Sequence, residues 1–245
     1  MTLSVRQRRI LADMGIPVWR SRLAPAPDAE ASVSDAGAAA PAPEAVAEWV
    51  DAGSGAEGVA VETLDWEALE THVRGCQACV ELAGERTQTV FGVGDRGARW
   101  LFIGEAPGAE EDRRGEPFVG RAGQLLDNML LALGLDRHHD VFIANVLKCR
   151  PPGNRDPKPE ESAACRAYLD RQIALIQPEV IVALGRVAAQ SLLASDEPLG
   201  RMRGGDHRYQ GVPLVVTYHP AYLLRKPADK ARAWQDLQRA RACLT

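Results

Sequence analysis

The sequence predicts an α/β protein, a three-layer αβα sandwich around a central four-stranded parallel sheet. Four short runs, 100–103, 141–146, 180–184 and 214–217, are apolar at nearly every position. That is the pattern of strands covered on both faces rather than on one. Helical spacing lies between and after them, at 122–133, 160–176, 187–193 and 228–242. Such alternation implies a mostly parallel sheet flanked by helices.

Taken in order, the chain divides into three parts. Residues 1–22 carry five arginines and one aspartate, and a short helix over 1–15 sets Ile10, Leu11 and Met14 on one side. A helix of this length is marginal alone, so it needs a surface to dock on. Residues 23–60 are Ala, Pro, Ser, Gly and acid with almost no large apolar side chain, the composition of a disordered linker. The folded domain is 61–245. It opens with Trp66, Leu69 and Val73 at helical spacing, leading into Cys76-Gln-Ala-Cys79.

Charge follows the same division. Residues 23–70 hold eleven acids and no Lys or Arg, so 71–245 retain 24 basic and 21 acidic residues although the whole chain is at −4. The part that folds is mildly basic and the acidity is segregated. No apolar run approaches the roughly 18–20 residues that span a bilayer. The Arg-rich start is not a secretory leader. A cytoplasmic monomer with no membrane partner is the expectation, and residues 1–22 are suited to capture a replication or repair protein.

The stretch 100–129 organises the domain. Its first strand breaks at Gly104-Glu105-Ala106-Pro107-Gly108, passes through a charged loop to Phe118, and resumes as a helix near Ala122. The second strand ends in Asn145 and the fourth runs into Tyr218-His219-Pro220. Polar groups at the carboxyl ends of parallel strands converge on one sheet edge, where open α/β sheets bind ligands. An ordinary loop cap explains each residue singly; the three together point to a site.

Cys76, Cys79, Cys149 and Cys165 follow the spacing C-x2-C-x69-C-x15-C, and Cys243 stands apart in the last helix. Four thiolates suit a structural zinc or a [4Fe–4S] cluster. A single close pair with two scattered partners leans toward iron and sulfur. An odd cysteine count argues against a secreted disulfide framework.

Four blocks in this order carry a resemblance. They are the Cys76/Cys79 pair; GEAPGAEED at 104–112 with Gly115-x-Pro117-Phe118-Val-Gly-x-Ala-Gly-x-Leu-Leu; Asn145-Val-Leu-Lys-Cys-Arg-Pro-Pro; and His219-Pro-Ala-Tyr-Leu-Leu-Arg225. The chain resembles the family 4 uracil-DNA glycosylases, the iron–sulfur branch of the uracil-DNA glycosylase superfamily, over about residues 64–245. The resemblance implies a four-stranded αβα sandwich and a structural [4Fe–4S] cluster on the four cysteines. It also implies base excision repair: a hydrolase that flips uracil out of DNA and cleaves its glycosidic bond.

Roles follow from the resemblance and from chemistry. Gly104 and the amides of Glu105 and Ala106 bind the base, Phe118 stacks on it, and Asn145 distinguishes uracil from cytosine. His219 donates to the departing base at O2. The water-positioning carboxylate is Glu105 or Glu111, with Glu105 preferred for its place at the strand end. The best-known branch of the superfamily has an aspartate where this chain has Ala106, and a tyrosine where it has Gly108. Glu111 is the candidate to fill the latter space and exclude thymine. Leu223 and Leu224 are candidates to fill the gap left in the base stack, and Arg225, Arg121, Lys148 and Arg150 to contact phosphates. Two readings compete: a module that binds or traps uracil-containing DNA without turnover, and an iron–sulfur electron carrier with nucleic-acid affinity. The second leaves Asn145, Phe118 and His219 without a joint purpose.

Overall fold

A computed structural model of the chain describes residues 60–244 together with Ser4, Arg8, Arg9 and Leu11. The expected linker, apart from Ala60, and most of the N-terminal peptide lie outside the described residues. The sheet has six strands: β1 (Val93–Gly94), β2 (Trp100–Gly104), β3 (Val141–Asn145), β4 (Val180–Leu184), β5 (His207–Tyr209) and β6 (Val212–Thr217). Their spatial order is β1-β3-β2-β4-β6-β5. The middle four are parallel and are the four read from the sequence. The two outer strands are antiparallel additions, and this corrects the expected count. With two and three residues, they are too short to show a period. The β5–β6 hairpin turns through Gln210 and Gly211, both at positive φ, as tight hairpin loops require.

Side-chain alternation divides the parallel strands between two cores. Leu101, Ile103, Phe142, Ala144, Ile181 and Ala183 face one layer of helices. Trp100, Phe102, Val141, Ile143, Val180 and Val182 face the other. Both sets are buried, which is why the strands read as unbroken apolar runs. The first layer holds α1 (Trp66–Arg74), α5 (Pro159–Ile176) and α6 (Arg186–Leu193). The second holds α4 (Arg121–Leu133), α8 (Pro220–Arg225) and α9 (Lys230–Ala242).

Local chemistry sets the helix ends. Asp65 caps α1 by accepting from the Ala68 amide at 2.9 Å. Helix α4 stops at Gly134 in the left-handed region. Pro159 occupies the first turn of α5, and Glu161 accepts from the Lys158 amide at 2.8 Å. Three short helices complete the fold: α2 (Val80–Glu85), α3 (Ala109–Arg114) and α7 (Leu199–Met202). Helix α3 occupies part of the stretch expected as a charged loop. The expected last helix begins as a 3-10 turn, Pro227–Asp229, and continues as α9.

Leu11 is 1% exposed and belongs to the core between the sheet and α4, α8 and α9. Just before it the Arg8 amide donates to the Ser4 carbonyl at 3.0 Å. At this residue the N-terminal peptide docks on its own chain. Among the described residues no helix is long and apolar enough to cross a membrane.

Candidate active site

The carboxyl ends of β2, β3 and β6 open onto a cleft of about 530 Å³. Glu105, Ala106, Glu111, Phe118, Asn145 and His219 all line it. Two glycines make the convergence feasible. A Cβ on Gly104 would meet Asn145 Oδ1 and come within 2.6 Å of the Phe118 ring. One on Gly185, which follows β4 at φ +93°, would lie 2.8 Å from the His219 Cβ. Close backbone approach is what a residue without a side chain permits.

Asn145 ends β3 and is 2% exposed. Its Oδ1 is buried without a hydrogen-bond partner among the described residues. A buried carbonyl oxygen left unpaired is costly, and at a cleft wall it is an acceptor open to a ligand.

His219 is the N-cap of α8, its Nδ1 accepting from the Ala221 amide at 3.1 Å. That bond assigns the ring proton to Nε2. Burial, reinforced by the Arg225 charge, depresses its pKa to about 4, against a smaller opposite pull from Glu111. The ring is therefore a neutral donor at physiological pH.

Phe118 packs its ring against His219 with centroids 5.5 Å apart and planes tilted by 31°. Its backbone sits at φ +56°, a conformation unusual for a bulky residue and found where surroundings enforce it. Those surroundings are the Arg137 guanidinium, donating to the Phe118 carbonyl at 2.8 Å, and Gly123, whose lack of a Cβ leaves room for that carbonyl.

The two carboxylates differ. Glu105 is half-buried, and no hydrogen bond from the described residues holds its charge. Burial, then the charge of Asp156, pushes its pKa up to about 7, partly opposed by Arg186. Glu111 is tied down: Oε1 accepts from the amides of Val119 at 3.0 Å and Gly120 at 3.3 Å, at the entry to α4.

Of the expected phosphate contacts, Arg225 lines the cleft and is exposed, Arg121 is exposed at the start of α4, and Arg150 is bonded to Asn154 Oδ1 at 2.7 Å. Lys148 does not fit that role. It is 1% exposed, with its ammonium bonded to the Asn145 carbonyl and Gln172 Oε1, so no phosphate reaches it. Leu223 is likewise corrected: it is fully buried in the core under α8, leaving Leu224, 37% exposed, as the free leucine.

The sequence reading missed Asn154, Arg155 and Asp156 in the cleft wall, along with Tyr222. Their signal was the Pro-Pro-Gly-Asn-Arg-Asp run directly after Cys149. Arg155 anchors that wall, bonding Glu161 Oε1 at 2.6 Å and Glu81 Oε2 at 3.1 Å. Asp112, in the same motif as Glu111, braces the scaffold by accepting from the Thr87 and Gln88 amides.

Cys149 and Cys165 are buried together with Leu82 and Leu147, and Cys79 packs against them. Cys76 is within electrostatic range of Cys79 and Cys149. None of them forms a disulfide, and Cys243 lies exposed. Burial raises the pKa of Cys79, Cys149 and Cys165. Yet Arg86 donates to Cys149 Sγ at 3.0 Å and to the Cys76 carbonyl at 2.6 Å. A charged donor on a buried sulfur is wasted on a thiol and suits a thiolate. Among the described residues no three metal-binding side chains close on a point as a single ion demands; a zinc needs each sulfur at about 2.3 Å. The charged donor on Cys149 and the four cysteine side chains fit thiolate ligation of an inorganic group.

A parallel sheet that gathers an unpaired amide oxygen, a neutral histidine, an aromatic face and a half-buried carboxylate at its carboxyl edge has the architecture of a ligand-binding αβα protein. The family model of the uracil DNA glycosylase superfamily matches residues 91–238, and the chain belongs to that superfamily. A type-4 uracil-DNA glycosylase of Thermotoga maritima is 43% identical over 180 residues, covering 72% of this chain and 93% of that protein. One from Archaeoglobus fulgidus is 46% identical over 183 residues, covering 71% and 92%. A type-5 uracil-DNA glycosylase of Thermus thermophilus is 33% identical over 161 residues, covering 54% and 73%. Within the superfamily the chain is a member of the type-4 family.

Proposed function

We propose that this protein excises uracil from DNA, hydrolysing the bond between uracil N1 and deoxyribose C1′ and leaving an abasic site for repair. The unpaired Oδ1 of Asn145 in the cleft wall supports this reading most directly. Uracil presents an N3–H donor beside an O4 acceptor, which a fixed amide matches with its oxygen and NH2; cytosine reverses the pattern and leaves the amide opposed.

The base is inaccessible within a duplex and must be flipped, at a cost of a few kcal/mol. Leu224 fills the vacated stack, while Arg225, Arg121 and Arg150 hold phosphates. Phe118 stacks on the extruded ring, a contact worth about 1–3 kcal/mol in single-strand binders. Cleavage leaves negative charge on the base, and the Nε2–H of His219 donates to O2, where that charge develops. The sugar becomes oxocarbenium-like and is stabilised by a nearby carboxylate. Glu105 supplies that charge and orients the water. Its raised pKa makes it a competent base near neutrality. Gly104 and the amides of Glu105 and Ala106 border the base, and Glu111 forms the wall against a thymine methyl.

Cys76, Cys79, Cys149 and Cys165 would hold a [4Fe–4S] cluster, which supplies a rigid cross-link between distant segments. The setting is cytoplasmic, with uracil-containing DNA as substrate. A labelled single-stranded oligonucleotide with one uracil tests the function: alkali-labile strand breakage at that position is expected. A retarded band with no breakage after prolonged incubation would overturn turnover and leave a binding protein.

A further inference from the structure

The peptide group between Phe118 and Val119 is pinned at both ends. Its carbonyl accepts from an Arg137 Nη at 2.8 Å, and its N–H donates to Glu111 Oε1 at 3.0 Å. The group is planar, so it cannot turn without breaking both bonds, and each bond has a charged partner. Gly123, in the first turn of α4, leaves the space that the carbonyl occupies: a Cβ there would collide with the Phe118 carbonyl oxygen and carbon. The strain falls on Phe118 itself, held at φ +56°, where a bulky side chain is rarely found. Arg137 lies in the turn between α4 and β3 and is aimed by Asp127 of α4, whose Oδ1 accepts from its Nε at 2.9 Å. Neither Arg137 nor Asp127 lines the cleft, but the ring they govern does, lying against His219 and over Gly104.

We propose that Arg137 is a positioning residue for base stacking. Aimed by Asp127, it holds Phe118 in its strained backbone conformation and so keeps the aromatic face set in the cleft before a base arrives. A relaxed Phe118 would swing its ring away from His219, and part of the stacking energy would then go into restoring it. The effect falls on capture of the base rather than on bond cleavage, because a stacked ring holds substrate and transition state alike. The inference rests on the uracil-excision reading above, in which Phe118 is the stacking surface.

The test is a double-mutant cycle on the full chain. The wild type is first assayed on an oligonucleotide with one uracil, so that failure of the functional reading shows before any variant is compared. Arg137→Met removes the guanidinium and keeps an unbranched side chain. Its KM for that oligonucleotide should rise about tenfold while kcat stays within about twofold, the split that loss of uniform binding produces. In a Phe118→Ala background the same change should cost less than about twofold, since residues acting through one contact are not additive. A crystal structure of Arg137→Met should show Phe118 at negative φ with its ring off His219, a readout that needs no activity. The ring in its wild-type place would overturn the proposal, as would an equal loss in both backgrounds or a loss confined to kcat. If Arg137→Met does not fold, Asp127→Ala, at a half-buried position, enters the same cycle, where an unchanged KM or additive losses refute the clamp.

Discussion

A Cβ built on Gly108 would lie 2.8 Å from Oε2 of Glu111, so this carboxylate occupies the space that a side chain at Gly108 would take. Its other oxygen is fixed by the Val119 and Gly120 amides, which suits the proposed wall better than a mobile acid. Glu111→Ala should raise activity on thymine opposite guanine above background while slowing uracil excision less than about tenfold, because removing a steric block changes specificity more than chemistry. Abolished uracil excision with thymine untouched would make Glu111 catalytic instead.

The Glu105 carboxyl, with its pKa near 7, should give the reaction an acid limb. The anionic form rises with pH, so single-turnover rates should climb roughly tenfold per pH unit below 7 and level off above it. His219, near 4, is already neutral throughout this range and contributes no limb. Glu105→Gln should lower the plateau by about 10²–10⁴-fold and flatten the limb. A limb unchanged in Glu105→Gln would assign the titration to another group.

The same group predicts a cost in stability. Its folded pKa lies above the unfolded value of 4.5, so the native state binds the proton more tightly. Stability is then lost as pH rises from the unfolded value through 7. Glu105→Gln should melt higher than wild type at pH 8, with the gap closing toward pH 4. An equal shift at both pH values would show that ionisation is not its cause.

Protein purified in air should be brown, with broad absorbance near ~400 nm from thiolate-to-iron charge transfer. Cys149→Ser should lose the colour and unfold more easily; Cys243→Ser should keep both colour and stability, since that thiol is exposed and apart from the others. Stoichiometric zinc in place of iron would refute the cluster.

Leu11→Ala should cost about 2–5 kcal/mol in urea unfolding, the range for emptying a buried leucine site. Val80→Ala, at an 84% exposed position, should stay within about 0.5 kcal/mol. An unchanged midpoint for Leu11→Ala would mean that the N-terminal helix does not dock.

Much of this was legible because the parallel strands are apolar on both faces, and because Gly104, Asn145 and His219 each punctuate the end of one. What escaped had physical reasons. Lys148 and Arg150 flank one cysteine and look alike in sequence; only the fold shows that one points into the interior. Leu223 and Leu224 are neighbours on one short helix, so one had to face the core, and a run of two leucines does not say which. Asp156 and Asn154 sit on a loop whose course depends on the Arg155 ion pairs with Glu161 and Glu81, one partner just before Cys165 and the other just after Cys79.

His219 both begins α8 and lines the cleft; the proposed chemistry uses the two nitrogens of one ring for these two tasks. An asparagine or serine there would still start the helix and leave the cleft's other walls standing. What it would remove is the hydrogen bond that, in the proposed reaction, draws the base away from its sugar. The distance between a protein that releases a damaged base and one that merely clasps it is then a single side chain, crossed with no disturbance to the scaffold.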